Sequence, residues 1–224
     1  HAGIEAAFAI SRMGGSCTLI TMDSLAIGRL SCNPAMGGLG KSHLVKEIDA
    51  LGGIMGFCSD SSGIQFKTLN KTKGRAVWAL RAQLDKKEYP KHIEALLKKN
   101  PKINIIEGEV VAFDVQMGAI SSVKLKSGES LSCGAFLITC GTFLNGLIHI
   151  GNSSFPAGRM GERPAQGLTE CLQKHGLKTG RLKTGTPPRL SRESIDWALT
   201  EKAQGDSVPS PFSLFTKRPF SKKQ

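Results

Sequence analysis

The sequence predicts a mixed α/β fold, and three observations carry that prediction. Residues Ala2 to Met13 repeat apolar side chains at helical spacing, and the run Cys17 to Met22 that follows is short, apolar and strand-like. Four more strand-like runs lie between Ile103 and Thr139. The last of them closes on Gly141-Thr142, a glycine turn at a strand end. At 224 residues the chain can hold one large domain, or one domain and part of another, with a core that needs no disulfide staples.

Taken in order, the first helix places Ile4, Ala7, Phe8 and Ser11 on one face and ends at Gly14-Gly15. After the Cys17 strand, Asp23 to Gly40 is rich in Gly, Ser, Asn and Pro and reads as a long loop. Lys41 to Leu51 predicts a helix with Leu44, Val45 and Ile48 as its apolar stripe, stopped by Gly52-Gly53. Ile64 to Phe66 reads as short and extended. Ala79 to Lys99 is the longest helical pattern, carried by Leu80, Leu84, Ile93, Leu96 and Leu97, with a kink or break expected at Pro90. Strands are expected at Ile103–Glu107, Glu109–Val115, Ile120–Leu125 and Ala135–Thr139, with a hairpin turn at Ser127-Gly128. Pro164 to His175 predicts a helix closed by Gly176. After Arg192 the composition shifts to Ser, Pro and Asp, and Asp206–Pro211 reads as a linker. Residues 1–200 are therefore expected to form one domain, and 201–224 a linker and the start of an insertion domain. His1 opens on a helix already under way, so the sequence reads as part of a longer protein.

Lys and Arg outnumber Asp and Glu by 30 to 18, and the surplus is clustered. Lys67–Lys102 carries net +8, Lys174–Arg192 net +6 and Lys217–Gln224 net +4, leaving the rest acidic. Basic segments on an acidic body suit a polyanion partner, because each neutralised phosphate releases counterions. Solvated surface lysines give the same run when it stands alone. Arg75, Lys183 and Arg189 are the candidate nucleic-acid contacts. Aromatic residues make up only 6%, which argues against a base-stacking platform and for recognition by phosphate and shape. The six cysteines form no C-x-x-C pair and no metal-ligand spacing with the His residues, so a reducing, cytoplasmic setting and no metal are expected. No apolar run is long enough to predict a membrane span.

Three segments carry candidate chemistry. His1-Ala2-Gly3 before a helix and strand matches the end of a G-x-G-x-x-G turn, where glycine lets the backbone approach a pyrophosphate at a helix N-terminus. The acidic ribose contact expected about 20 residues on is matched imperfectly by Thr21 and Asp23. Ala35 to Ser42 mimics a P-loop but has Ala35 where Gly is needed and no good strand before it, which excludes a nucleotide hydrolase. A Gly-rich loop entering a helix can still approach a cofactor, and Asn33, Gly37 and Gly38 are its candidate contacts. Cys32 in this loop is either an inert buried thiol or a nucleophile. The helix N-terminus and Lys41 that follow would raise its thiolate fraction. Gly141 and Thr142 mark either a cofactor crossing or an ordinary buried strand and its turn.

Several long motifs then occur in one order: Ser31-Cys-Asn-Pro-Ala-Met-Gly-Gly-Leu-Gly-Lys41, Glu47-Ile-Asp-Ala-Leu-Gly-Gly53, Gly63-Ile-Gln-Phe66, Gly141-Thr-Phe-Leu144, His149-Ile-Gly151, Ala157-Gly-Arg-Met-Gly161 and Arg181-Leu-Lys-Thr-Gly-Thr-Pro-Pro-Arg189. Together they resemble the MnmG (GidA) family of tRNA uridine 5-carboxymethylaminomethyl modification enzymes, from His1 to about Phe215. The resemblance implies a Rossmann-like FAD-binding fold of the glutathione-reductase type with a β-rich insertion, incomplete in this chain. It places His1, Ala2 and Gly3 at the end of the family's FAD fingerprint, and further flavin contacts at Val110 and Ala165, where Ala165 keeps the backbone groups but not the hydroxyl often found there. It places the family's nucleophilic cysteine at Cys32, and a second essential cysteine beyond Gln224. It also implies a GTPase partner, MnmE, in a heterotetramer with two copies of each, a homodimer of the chain itself, and tRNA as substrate. NADH would be the reductant and methylenetetrahydrofolate the one-carbon donor for addition at C5 of the wobble uridine. A generic FAD/NAD(P)H oxidoreductase acting on a small molecule predicts a redox C-x-x-C pair and no basic clusters. A non-catalytic RNA-binding module predicts no Gly-rich cofactor loop.

Overall fold

Helix α1 spans Ala2–Arg12 and buries Ile4, Ala7 and Phe8, the face expected from the spacing. The structure, a computed structural model, describes residues 1–31, 33–217 and 220. Strand β1 (Cys17–Thr21) follows α1 and lies under it. The segment expected as loop to Gly40 contains a 3-10 turn at Ser24–Ala26 and a short strand, β2 (Ala35–Gly37). Helix α2 (Ser42–Ala50) buries Val45, Ser42 and Asp49, whereas Leu44 of the expected stripe is 57% exposed. Helix α3 (Met55–Ser62) was not legible as a helix, because its buried positions are Gly56, Cys58, Ser59, Asp60 and Ser62, small or polar residues without an apolar stripe. Strand β3 (Gly63–Leu69) extends the short run seen in the sequence.

Residues Ala79–Leu84 correct the largest expectation, being strand β4 and not the first half of a long helix. Ala79, Leu80, Ala82 and Leu84 are buried, and Arg81 and Gln83 alternate with them. The strand is the middle of an antiparallel sheet ordered β2-β4-β3. The four-residue spacing of Leu80 and Leu84 imitated a helical stripe, while the alternation of Leu80, Ala82 and Leu84 with Arg81 and Gln83 is that of a strand. Helix α4 (Glu88–Lys98) begins only afterwards and buries Tyr89, Ile93 and Leu97 at four-residue spacing. Pro90 stands in its first turn, where no intrahelical N–H partner is required, so it starts the helix and does not break it.

Strand β5 (Ile103–Glu107) pairs in parallel with β1, from Cys17↔Ile103 to Thr21↔Glu107. The meander β6 (Val110–Gln116), β7 (Ala119–Leu125) and β8 (Ser130–Ser132) is antiparallel and turns at Ser127-Gly128 as expected. Residues 135–139, expected as a strand, have no ladder partner among the described residues and no regular structure. A cleft separates them from β1. Strands β9 (Leu147–Ile150) and β10 (Ser153–Pro156) form a hairpin. Helix α5 covers Leu168–Lys174 only. Gly167, at φ +90°, precedes it, and Ala165 is bridged to Leu144 instead of being helical. Residues 177–191 have no regular structure and are exposed.

The stretch expected to begin a linker packs along β3. The Asp206 N–H donates to the Phe66 carbonyl, and its carboxylate accepts from the Thr68 N–H and hydroxyl. Downstream, two buried carboxylates hold the chain. Asp60 accepts from the Phe212 and Ser213 N–H groups and the Thr216 hydroxyl, and Asp49 accepts from the Leu214 N–H. Phe212, 1% exposed, joins the main core with Phe66, Leu80, Ala82 and Tyr89. A second cluster gathers Phe113, Val123 and Leu168 under α5. Among the described residues no helix is long and apolar enough to cross a membrane.

Candidate active site

The N-terminus of α1, β1 and the 135–141 segment enclose a cleft of about 1610 Å³. His1, Ala2 and Gly3 line it, as do Val110, Gly141 and Ala165. Six of the sequence-derived candidates thus meet in one place, drawn from across 165 residues of chain. Gly3 lies at a close crossing: a methyl group there would stand 2.7 Å from Thr139 Oγ1 and 3.3 Å from the Leu19 side chain. The α1 N-terminus has no side-chain cap, so its first-turn N–H donors face the cleft without an intramolecular acceptor from a capping side chain. Gly141 has open space around it. The backbone of Ala165 is already committed, its N–H to the Phe143 carbonyl and its carbonyl to the Asn145 N–H. Contact with a ligand there falls to the methyl group. Thr142 is not among the residues lining the cleft, and its hydroxyl donates to the Gly158 carbonyl.

The Gly-rich loop is built differently. Gly37, at φ +78°, lies so close to β4 that a methyl group would meet the Leu80 carbonyl at 2.3 Å and the Phe212 ring at 2.6 Å. The Gly38 N–H donates to the same Leu80 carbonyl, and its own carbonyl accepts from Lys41 and Ser42. Neither glycine, nor Asn33, lines the large cleft. The demand for glycine at Gly37 comes from packing against β4 and Phe212, whereas Gly38 has open space and is favoured by its φ of +100°. Cys32 lies outside the described residues, between Ser31 and Asn33. The described cysteines are all unpaired. Cys58 is fully buried, and that burial, with Glu5 nearby, pushes its thiol up to about 12. Burial raises Cys17 as well. Cys58 is a packing residue, as scattered cysteines were expected to be, whereas Cys17 is half-buried and lines the large cleft. Glu5 accepts from the Ile54 and Met55 N–H groups at the start of α3, and burial raises its carboxyl against the pull of those donors.

The three expected nucleic-acid contacts do not converge. Arg75 sits over the Trp78 ring at 5.5 Å. Lys183 is exposed on the 177–191 segment. Arg189 lines a second, smaller cavity of about 510 Å³ with Arg29, Ser31, Lys86, Arg159 and Glu162. Arg159 and Glu162 line the large cleft too, so the cavities adjoin. No local signal marks this group, because its members come from four separate stretches of sequence. No group of His, Cys, Asp and Glu among the described residues could hold a metal.

A βα-type cleft between a parallel strand pair, a helix N-terminus and a glycine-marked chain crossing defines a Rossmann-like α/β protein. The model of the family "Glucose inhibited division protein A" matches residues 1–224, and the chain belongs to that GidA family. It is 50% identical over 218 residues to the "tRNA uridine 5-carboxymethylaminomethyl modification enzyme MnmG" of Thermodesulfovibrio yellowstonii, covering 97% of this chain and 35% of that protein. It is 48% identical over 215 residues to the MnmG of Chlorobium phaeovibrioides, covering 96% and 35%. The crystal structure of Aquifex aeolicus GidA superposes with a TM-score of 0.92 at 43% identity, covering 97% of this chain and 36% of that one. The chain therefore spans about a third of the length of the relatives it matches.

Proposed function

We propose that this chain supplies part of an FAD-dependent enzyme that installs an aminomethyl or carboxymethylaminomethyl group at C5 of the wobble uridine, position 34, of certain tRNAs. The cleft at the α1 N-terminus is the observation that carries the reading. Its volume exceeds the roughly 300–1,000 Å³ of an ordinary small-ligand pocket, as a dinucleotide requires. Uncapped N–H donors beside Gly3 suit a pyrophosphate, since a side chain at position 3 would close the approach. Val110, Gly141 and the Ala165 methyl group are the remaining contacts. When bound there, FAD supplies redox chemistry to the one-carbon unit, with NADH as reductant and methylenetetrahydrofolate as carbon donor. The chain's own contribution to the reaction is a thiolate and a place to hold the base. Addition of the Cys32 thiolate to uracil C6 forms an S–C6 bond and moves the electron pair toward O4, which makes C5 nucleophilic. After C5 has bonded to the one-carbon unit, loss of the C5 proton and expulsion of the sulfur restore the ring.

The GTPase MnmE, two copies with two of this chain, completes the assembly, and the setting is cytoplasmic. The cofactor residues belong to a domain whose core also takes in Phe212. The experiment uses the full-length protein, purified and assayed with MnmE, NADH, methylenetetrahydrofolate, glycine or ammonium, and unmodified tRNA. Flavin is read by visible absorbance and the product by mass spectrometry of tRNA nucleosides. Cys32→Ser should keep flavin and abolish the modified uridine. A Cys32→Ser protein with wild-type modification removes Cys32 from the mechanism, and a colourless wild-type protein removes the cofactor assignment.

A further inference from the structure

The smaller cavity holds an arrangement that neither the dinucleotide cleft nor the thiol chemistry uses. Four cations, Arg29, Lys86, Arg159 and Arg189, face it with one carboxylate, Glu162. That carboxylate is spent on Arg29 at 2.7 Å, and Asp23 adds a second contact to Arg29 at 3.1 Å. Arg29 is thereby neutralised and fixed. Lys86, Arg159 and Arg189 have no carboxylate at ion-pair distance among the described residues. Arg159 is held by stacking its guanidinium 5.1 Å over the Phe143 ring, which leaves its N–H fork unspent. Ser31 completes the lining, and its hydroxyl is buried without a hydrogen-bond partner among the described residues. A buried hydroxyl is normally paired, so an unspent one beside three uncompensated cations points to an absent acceptor.

We propose that this cavity is a seat for a phosphate group, and that the phosphate belongs to a polynucleotide backbone. Guanidinium forks and an ammonium match a tetrahedral oxyanion, and Ser31 supplies a neutral donor. A linear polyanion is favoured over a free anion because Arg189 belongs to the exposed segment 177–191, which also carries Lys183 and, donating to the Leu144 carbonyl, Arg181. Ser31 directly precedes Cys32 in the sequence. The polynucleotide source rests on the proposed function; the oxyanion seat rests on the cavity alone.

The test uses the full-length protein with Lys86→Ala, Arg189→Ala, their double variant, and the charge-restoring Lys86→Arg. Lys86 and Arg189 are exposed, so their truncation spares the core. tRNA affinity is measured by filter binding across a salt titration, with flavin per chain read in parallel. Each alanine variant should weaken tRNA binding by roughly three- to tenfold and flatten the salt slope by about 0.7–1, with Lys86→Arg near wild type and flavin unchanged. Unchanged affinity and slope overturn the proposal. Loss of flavin in step with the charge assigns the phosphate to the dinucleotide and overturns the polynucleotide source. If the wild-type protein binds no tRNA, the proposed function fails separately, and pyrophosphate titrated calorimetrically decides the seat. Wild-type binding that the double variant loses sustains the seat, and no binding by either protein ends it.

Discussion

Two glycines of this chain sit at close crossings and have opposite consequences. At Gly3, α1 passes residues 135–139 so tightly that a methyl group would lie 2.7 Å from the Thr139 hydroxyl, and the approach leaves a cleft of about 1610 Å³ beside it. At Gly37 a methyl group would strike the Leu80 carbonyl at 2.3 Å and Phe212 at 2.6 Å, and neither Gly37 nor Phe212 lines the cleft. The first crossing lies beside first-turn N–H donors that no side chain caps. The second is closed from outside by a segment that returns 175 residues later, tied down by Asp49 and Asp60. A glycine-rich motif therefore says only that backbones meet. Whether they meet to admit a ligand or to seal a core depends on what covers the crossing, and here Phe212 covers one of them.

A methyl group added at the sealed crossing has the largest expected effect. Gly37→Ala adds a clash with a backbone carbonyl, which cannot move aside, to a positive φ that an L-residue tolerates poorly. It should cost about 3 kcal/mol or more in urea unfolding, without a direct effect on flavin per folded molecule. A loss below about 1 kcal/mol would mean that the loop is not held against β4.

Asp60→Asn should cost about 2 kcal/mol, the next largest effect. Its two carboxylate oxygens take three donors, and an amide offers one oxygen to them and turns an NH₂ toward the others. Burial raises the Asp60 carboxyl above its ordinary 3.8, helped by the charge of Asp49 and opposed by the Thr216, Phe212 and Ser213 donors. A raised native value means that the folded chain holds the proton more tightly than the unfolded chain does. That contribution is complete below 3.8 and is lost as pH climbs through the raised value. Equilibrium unfolding should show the Asp60→Asn variant with a flatter stability profile over that window. Parallel profiles would place the raised proton elsewhere.

What the sequence made legible follows from range. Helix α1, the β6–β7–β8 turn at Ser127-Gly128 and the Gly3 and Gly141 positions are local signals, set by spacing or by a residue without a side chain. Leu80 and Leu84 misled because their four-residue spacing fits a helix, while the segment is a strand paired between β2 and β3 with α2 and α3 packed against it, a tertiary fact. Helix α3 escaped because small and polar residues fill its buried face. Arg29, Lys86, Arg159 and Arg189 become one group only when four distant segments fold together, and no window of sequence holds them. Arg75, Lys183 and Arg189 were singled out for their charge, which says nothing about where cations converge.

The smallest effect tests the open crossing. Gly3→Ala meets a hydroxyl and a leucine methyl, not a backbone carbonyl, so the neighbours can give way and the stability loss should be about 1 kcal/mol. Thr139→Ala removes the oxygen at 2.7 Å and leaves the Cβ at 3.7 Å, an ordinary contact distance. The double variant Gly3→Ala with Thr139→Ala should therefore be more stable than the two single losses summed, with a coupling of about 0.5–1 kcal/mol in a double-mutant cycle. Additive losses would mean that the 135–139 segment does not abut α1, and the cleft would lose one wall. The same proteins separate packing from binding: flavin retention that tracks the coupling assigns the crossing to the fold, whereas flavin lost in both Gly3→Ala proteins assigns it to the ligand.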